Sequence, residues 1–400
     1  MITTKPQTRP SFTEFVILVS MLMSLTAMSI DTMLPSLPQI AADLHVQNAN
    51  DRQLIISTIF LGLSFGQLFF GPLSDKTGRK PAIYAGLTLF MTGCLLSMFA
   101  VNYPMMLFGR LLQGVGISAP RAVTLALVRD QFEGRAMARV MSFVMTVFII
   151  IPMIAPTMGQ TILLFAGWRT IFGSFILLSC IALAWLALRQ PETLALENRA
   201  PFTWQRVWST TLEIIKTRPA LGYTITAGLV SGAFIGYLNS SQQIFQEQYE
   251  LGTRFPLYFA VIASSVGLAS LSNARLVIRF GMRFLVKRSL LIISVLAIVA
   301  FGIALLTGGR PPLWVLMTYL MTTFFCVGVL FGNMNSLAME PLGHIAGIGA
   351  AIVGSLSTFI STLLGTLIGQ SYNGTILPLV AGLGILAGLA VFIVDWAEAN

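Results

Sequence analysis

Three charged residues lie deep inside apolar segments of this chain, and they are its strongest candidates for chemistry: Asp31, Arg110 and Arg121. A charge within a bilayer costs about 3 kcal/mol or more unless it is paired or hydrated, so such residues usually mark a site of function. Asp31 is the only acid among them. Partial burial in a cavity favours a neutral carboxyl, which allows Asp31 to gain and lose a proton near neutral pH. The alternative for Asp31 is a helix-end carboxylate exposed at the membrane surface.

The two arginines lie eleven residues apart, which is about three helical turns or roughly 16 Å. They therefore share one face of a helix, and that face must line a cavity or meet an acid because two arginines cannot face lipid. Arg110 lies at a depth near that of Asp31 and could influence its protonation; the alternative is a structural salt bridge. Arg121 could attract an anionic or zwitterionic ligand, or it could snorkel or bond to backbone carbonyls.

A second group of charges occupies eleven residues between two apolar segments, Gly71–Pro81. Only 10% of the chain is charged, so a stretch this polar predicts a very short loop at a membrane surface. Its glycines permit a tight turn and a close approach of helices. Charge contacts between inner helix ends would hold one conformation and break in another, so we predict a gate formed by Gly71, Asp75, Gly78, Arg79 and Lys80.

The second half of the chain has no charge within its apolar segments but carries several amides there. These are Asn239, Gln242, Gln243, Asn333 and Asn335. Amides can hydrogen-bond varied ligands, which makes them candidates for a substrate-binding wall. Hydrogen bonding between helices is the alternative for each of them.

The composition requires a membrane protein, with 56% hydrophobic residues and a mean hydropathy of +0.82. A spanning helix needs about 20 apolar residues, and the apolar runs are continuous rather than alternating, which predicts an all-α fold. Twelve spans are predicted, starting near Phe12, Arg52, Pro81, Pro104, Arg139, Arg169, Leu221, Phe255, Lys287, Leu313, Ile345 and Ile376.

The distribution of basic residues predicts the orientation. Of the 24 lysines and arginines, 18 fall in segments on one side of these spans and four on the other. The basic side is normally cytoplasmic, so both termini, including Lys5 and Arg9, are predicted to be cytoplasmic. The excess of basic residues therefore reflects the orientation of the chain in the membrane, and nucleic acid is not expected as a partner.

The longest hydrophilic stretch, Arg189–Pro219, divides the spans six and six. We predict an N-terminal six-helix bundle over residues 1–188, a cytoplasmic linker over 189–219 with an interfacial helix, and a C-terminal six-helix bundle over 220–400. A degraded copy of the charged loop occurs at Ala274–Arg283, where Gly281 corresponds to Gly78 but Ile278 replaces Asp75.

Four motifs together resemble the major facilitator superfamily, and within it the twelve-span drug:proton antiporter group, close to bicyclomycin- and chloramphenicol-resistance exporters. The motifs are the loop Gly71–Pro81, the run from Ser29 to Pro38, the segment Arg110–Gly116, and the partial antiporter motif carrying Pro152, Pro156 and Gly159. In the last motif, Ala155 and Gln160 replace two glycines of the family pattern.

The resemblance implies two six-helix bundles around a central cavity in a bacterial inner membrane. It implies proton-coupled export of small amphipathic compounds, including antibiotics, with Asp31 and Arg110 in proton coupling. The expected partners are a small-molecule substrate, protons and lipid, and we expect a monomer. The alternative is a proton-coupled exporter or importer of an endogenous anionic or zwitterionic metabolite, such as a siderophore or amino-acid derivative.

Other classes of function are disfavoured. The chain has two histidines and shows no catalytic His/Asp cluster, serine elbow or nucleotide-binding loop, so we expect no enzyme, no metal and no cofactor. A passive channel is disfavoured by the six-plus-six arrangement and the charged loop.

Overall fold

The computed structural model describes residues 10–201 and 203–399, so Lys5 and Arg9 of the predicted cytoplasmic N-terminus lie outside the described residues. Within those residues the chain is helical, with no strand. The helices are α1 (Phe12–Asp31), α2 (Leu37–Asp43), α3 (Leu54–Thr77), α4 (Arg79–Met98), α5 (Tyr103–Gln131), α6 (Gly134–Phe165), α7 (Arg169–Arg189), α8 (Trp204–Lys216), α9 (Arg218–Gln242), α10 (Phe255–Phe280), α11 (Met282–Leu306), α12 (Leu313–Met339), α13 (Ala346–Gln370) and α14 (Leu377–Glu398).

Twelve of these helices are long enough to cross a bilayer, because α2 and α8 are the only short ones within the described ranges. The shortest spanning helices have 20 residues, which at 1.5 Å per residue matches a hydrocarbon core of about 30 Å. Helices α12 and α13 belong to one helical segment of 58 residues, Leu313–Gln370. That segment breaks at Leu342, where φ is −105° and ψ is 19°. The predicted all-α fold with twelve spans is confirmed.

The charged segment Gly71–Pro81 differs from the predicted loop because most of it is helical. Helix α3 continues to Thr77 and α4 begins at Arg79, so the chain reverses at the single residue Gly78. The φ of Gly78 is 107°, a region that glycine enters without steric cost. Gly281 makes the corresponding junction between α10 and α11 with a φ of 79°.

Small residues allow α3 and α5 to pack backbone against backbone. A Cβ added at Gly62 would lie 2.2 Å from the Leu111 carbonyl oxygen, and one added at Gly114 would lie 2.0 Å from that of Ile59. Helices in lipid gain stability from such close packing because no hydrophobic effect drives their association there.

The spanning helices form two sets, α1 with α3–α7 and α9–α14, which meet mainly where α3 contacts α13 and α6 contacts α10. Helix α8 lies within the segment 189–219, which was predicted to be a linker with an interfacial helix, and packs against α9 and α13. Its Trp208 and Ile215 side chains are 66% and 48% exposed. Exposed apolar side chains on a short helix of this kind suit the surface of a membrane.

Candidate functional site

A cavity of about 360 Å³ lies between the two helix sets. Its wall comes from α1, α3, α5 and α6 on one side and from α9, α10, α12 and α13 on the other. The wall is rich in aromatic side chains, namely Phe60, Phe148, Phe234, Tyr237, Phe259, Phe324 and Phe331. A largely apolar cavity of this size with a few polar groups is typical of a small-molecule site.

Asp31 is the last residue of α1 and lines this cavity with 5% of its surface exposed. The helix ends there because the chain continues into a 3-10 turn at Leu34–Ser36 that contains Pro35. No hydrogen bond or ion pair reaches the Asp31 carboxylate from any residue that the structure describes. Tyr237 lines the opposite wall of the same cavity, and its hydroxyl is buried without a hydrogen-bond partner among the described residues. Asp31 is therefore available to a proton, water or ligand.

Arg110 lies behind the cavity wall and is fully buried. Its guanidinium donates from Nε to the Ile55 carbonyl at 3.0 Å, from Nη1 to Gln113 Oε1 at 2.7 Å and from Nη2 to the Ser29 carbonyl at 2.9 Å. Among the described residues no ion pair joins it to Asp31. Arg110 thus fixes the end of α1 through Ser29, two residues before Asp31, and connects α5 to α1 and α3.

Arg121 lies on the cavity wall itself. It has no hydrogen bond or ion pair with any residue in the described ranges, so those residues leave its guanidinium donors unsatisfied. Arg121 is the only cationic side chain that lines this cavity among the described residues, and Asp31 is the only anionic one. The site therefore holds one fixed positive charge and one titratable carboxyl.

The structure separates the predicted substrate-binding amides. Asn335 lines the cavity, whereas Asn333 lies beside it and exchanges hydrogen bonds with Asn273 at 2.9 and 3.3 Å. Asn239, Gln242 and Gln243 do not line the cavity and are buried nearer one end of the protein. Two further polar residues of the cavity wall, Tyr237 and Gln67, were not predicted from the sequence. The Gln67 amide donates to Thr358 Oγ1 across the two sets at 3.3 Å.

Only one of the three antiporter-motif residues lines the cavity. Pro152 lines the cavity. Gly159, seven residues further along α6, lies against α1, where an added Cβ would be 2.0 Å from the Thr32 carbonyl oxygen. Pro156 is buried within α6 and is not part of the cavity wall.

Hydrogen bonds across the two sets close the end of the cavity near the start of α3. Asn50 donates to the carbonyls of Gln370 at 3.0 Å and Tyr372 at 2.8 Å. Gln243 donates to Asn50 Oδ1 at 2.9 Å, and Gln53 donates to Gln243 Oε1. We call the side chains of Asn50, Gln53 and Gln243, together with the Gln370 and Tyr372 carbonyls that Asn50 binds, the amide network.

An ion pair reinforces the amide network. Arg52 contacts Glu247 at 2.7 Å, and the Arg52 side chain is 8% exposed. Next to it, Asn239 donates to Ser57 Oγ at 2.9 Å. This closure was not predicted, although the mostly polar stretch before α3, Asn48–Gln53, is its visible signal in the sequence.

At the opposite end, the gate residues contact one another and the linker. Arg79 donates from Nη1 to Asp75 at 2.5 Å and from Nε to Asp130 at 2.9 Å. Glu192 accepts from the backbone N–H groups of Arg79 and Lys80, each at 2.9 Å, and so caps the N-terminus of α4. Every one of these partners precedes α9.

Gly71 is the gate residue that faces the second set. An added Cβ there would lie 3.3 Å from the Ala351 side chain on α13. The charged gate side chains therefore have partners in the first set, while Gly71 marks its contact with the second.

Comparison with known proteins gives matches over nearly the whole chain. Residues 19–366 match the family described as the Major Facilitator Superfamily. An uncharacterized MFS-type transporter YdgK of Bacillus subtilis (strain 168) is 32% identical over 379 residues, covering 92% of this chain and 93% of that protein.

Two further relatives have names that refer to resistance. The bicyclomycin resistance protein homolog of Haemophilus influenzae is 26% identical over 390 residues, covering 94% of each chain. The multidrug resistance protein MdtL of Klebsiella pneumoniae (strain 342) is 28% identical over 391 residues, covering 96% of each. Among solved structures, the partially occluded inward-open xylose transporter XylE from E. coli superposes with a TM-score of 0.74 at 13% identity, covering 97% of this chain and 98% of that one.

Proposed function

Because this chain belongs to the Major Facilitator Superfamily, and is therefore a transporter and not an enzyme, we propose that it exports small amphipathic compounds in exchange for protons. The observation that carries this proposal is Asp31, a carboxyl that lines a cavity between two helix sets and has no hydrogen-bond or ion-pair partner among the described residues. The resistance proteins among its relatives support the direction of transport.

The proposed cycle is alternating access between two bundles, residues 1–188 and 220–400, joined by the linker 189–219. In the bacterial inner membrane with both termini cytoplasmic, the amide network closes the periplasmic side, and the cavity takes up substrate from the cytoplasmic side. Opening the periplasmic side requires the amide network and the Arg52–Glu247 pair to break. The gate residues then close the cytoplasmic side, with Gly71 allowing α3 to approach α13.

Protonation of Asp31 is the proposed coupling step. A charged, unpaired carboxylate is costly when the cavity closes around it, so Asp31 crosses between states either protonated or occupied by substrate. Arg110 acts as a positioning residue because its bond to the Ser29 carbonyl holds the end of α1. A proton from outside then displaces substrate, and substrate from inside displaces the proton.

Asp31→Asn tests this assignment because asparagine keeps the size of the side chain and cannot titrate. In inside-out vesicles with an imposed pH gradient, we expect gradient-driven uptake of amphipathic antibiotics to fall to the level of vesicles without the protein. Resistance should be lost in a pump-depleted host at equal expression. Glu197→Gln, which changes an exposed acid of the linker, is the matched control and should transport normally. Undiminished pH-driven uptake by Asp31→Asn would exclude Asp31 as the proton carrier.

A second candidate, export of an endogenous anionic or zwitterionic metabolite, differs only in the cargo. The observation that favours it is Arg121, which lines the cavity wall and has no partner within the described ranges. A purely apolar or cationic cargo would leave that charge uncompensated.

A further inference from the structure

Two opposite charges face one cavity, and neither has a protein partner among the described residues. Asp31 contributes the carboxyl and Arg121 the guanidinium. A buried ionic group without a partner is expensive, so each must be compensated by water or by the bound ligand. Had they been close together, they would have formed an ion pair with each other, and none is present between them in the described chain.

The two charges lie at different depths of the cavity. Arg110 donates to the Ser29 carbonyl, two residues before Asp31, at 2.9 Å. Arg110 and Asp31 therefore lie at a similar depth. Arg121 lies eleven residues further along α5, roughly 16 Å along the helix axis. The aromatic part of the wall, including Phe148, Phe234 and Phe331, belongs to the same cavity.

The direction of coupling decides which ligand charge belongs at which residue. An exporter driven by protons needs substrate and proton to compete. A cationic group on the substrate competes with the proton at Asp31, because both neutralise the same carboxylate. An anion alone would bind better when Asp31 is protonated, which favours co-transport instead of exchange. A cation alone leaves Arg121 uncompensated.

Resting on the proposed proton exchange, we propose that the cargo is an elongated zwitterion with an apolar, aromatic body. Its cationic group occupies the place of the proton at Asp31, and its carboxylate pairs with Arg121. The planar guanidinium fork suits bidentate binding of a carboxylate. Simple α-amino acids do not fit, because their ammonium and carboxylate groups are adjacent and cannot reach both charges.

The charge balance of this exchange is fixed. One net-neutral zwitterion leaves as one proton enters, so each turnover moves one elementary charge inward. If the carboxylate is blocked as an ester, the cargo is a monocation, and its exchange for one proton moves no net charge. The two cargoes can therefore be distinguished electrically.

The test uses three probes built on one rigid body: 4′-(aminomethyl)biphenyl-4-carboxylate, its methyl ester and its N-acetyl derivative. Calorimetry on the purified protein should show the zwitterion binding roughly 10- to 100-fold more tightly than the ester, the range expected for a hydrogen-bonded ion pair. Zwitterion binding should weaken as pH falls, since protons compete at Asp31. Binding of the N-acetyl anion should not weaken.

Variants assign the two ends of the probe. Arg121→Gln should reduce zwitterion affinity to that of the ester and leave the ester unchanged, while Arg121→Lys should retain part of the preference. Arg135→Gln, which removes an exposed charge of α6 outside the cavity, is the control and should bind as wild type. Thermal unfolding verifies that each variant is folded.

Charge measurements on a supported membrane complete the test, with one charge per transported zwitterion and none per ester. Failure of the zwitterion to bind, equal binding of zwitterion and ester by wild type, or a zwitterion preference that survives Arg121→Gln would overturn the cargo assignment. These outcomes leave the proton exchange intact, whereas pH-driven transport by Asp31→Asn would overturn the exchange itself.

Discussion

Replacing Asn50 by alanine should open the closed end of the cavity without unfolding the protein. The Asn50 side chain makes three hydrogen bonds across the two helix sets, at 2.8, 2.9 and 3.0 Å. A fourth, from Gln370 to the Asn50 carbonyl at 2.9 Å, uses the backbone and survives the substitution. In a conformation with this end open, the two sets have separated and all three side-chain bonds are already broken. Their loss therefore destabilises only the closed state.

The size of the effect follows from these three bonds. A hydrogen bond contributes about 0.5 to 1.5 kcal/mol net, and Asn50 is half-buried, so the lower value applies. Three bonds then give about 1.5 kcal/mol, which corresponds to a roughly tenfold larger ratio of open to closed molecules.

Spin labels at this end can measure that ratio. Val101 and Leu306 are 80% and 90% exposed and belong to different helix sets. Cysteines there, in a background with Cys180 replaced by serine, permit pulsed electron resonance distance measurements. The ratio of the long-distance population to the short-distance population should increase about tenfold in Asn50→Ala.

The control is Asn48→Ala. Asn48 donates to Asp51 at 3.2 Å within the same set, so its loss should not change the distances. An unchanged distribution for Asn50→Ala, or an equal shift for both variants, would refute the idea that the amide network holds this end closed.

Two more results are expected. Gly114→Ala places a Cβ 2.0 Å from the Ile59 carbonyl oxygen and should lower the unfolding temperature of the purified protein by several degrees, corresponding to about 1–3 kcal/mol of overpacking. Gly388→Ala is the control, because open space surrounds that residue, and it should not lower the unfolding temperature. Similar unfolding temperatures for the two variants would contradict the close packing of α3 and α5. Asp130→Asn removes one of the two acidic partners of Arg79, the one at 2.9 Å. It should reduce the transport rate several-fold and keep the substrate affinity, because the gate and not the cavity is altered. A changed affinity at an unchanged rate would argue against a gating role.

The sequence was sufficient for the fold because hydropathy and charge act over whole segments. Twelve apolar runs, separated by charged or Pro/Gly-rich residues, predict twelve helices without any knowledge of their contacts. One limit appeared at Gly71–Pro81, where charge density predicted a loop. The structure shows two helices with a single-residue break at Gly78, because charged residues are compatible with helix ends that emerge from the membrane.

For the site, the sequence was informative about rare residues and uninformative about common ones. Asp31 and Arg121 stand out because charges are scarce in apolar segments, and both line the cavity. Arg110 stands out equally, yet its side chain turns away to backbone carbonyls, which depends on the packing of α5 against α1 and α3. Amides give no such signal. Asn335 and Gln243 are both amides within apolar segments, yet Asn335 lines the cavity and Gln243 belongs to the amide network that closes its end.

The cap that Glu192 places on α4 has a consequence for how the protein is made. The carboxylate and the two N–H groups that it binds are separated by 113 and 112 residues. When α4 leaves the ribosome, its first turn has no acceptor, and none arrives until three further spans have been synthesised. The hydrogen bonds at the start of α4 thus depend on a linker residue that is synthesised after α7, the last helix of the first bundle. An N-terminal fragment that stops at Arg189 would lack this cap, whereas one extended through Thr193 would carry it.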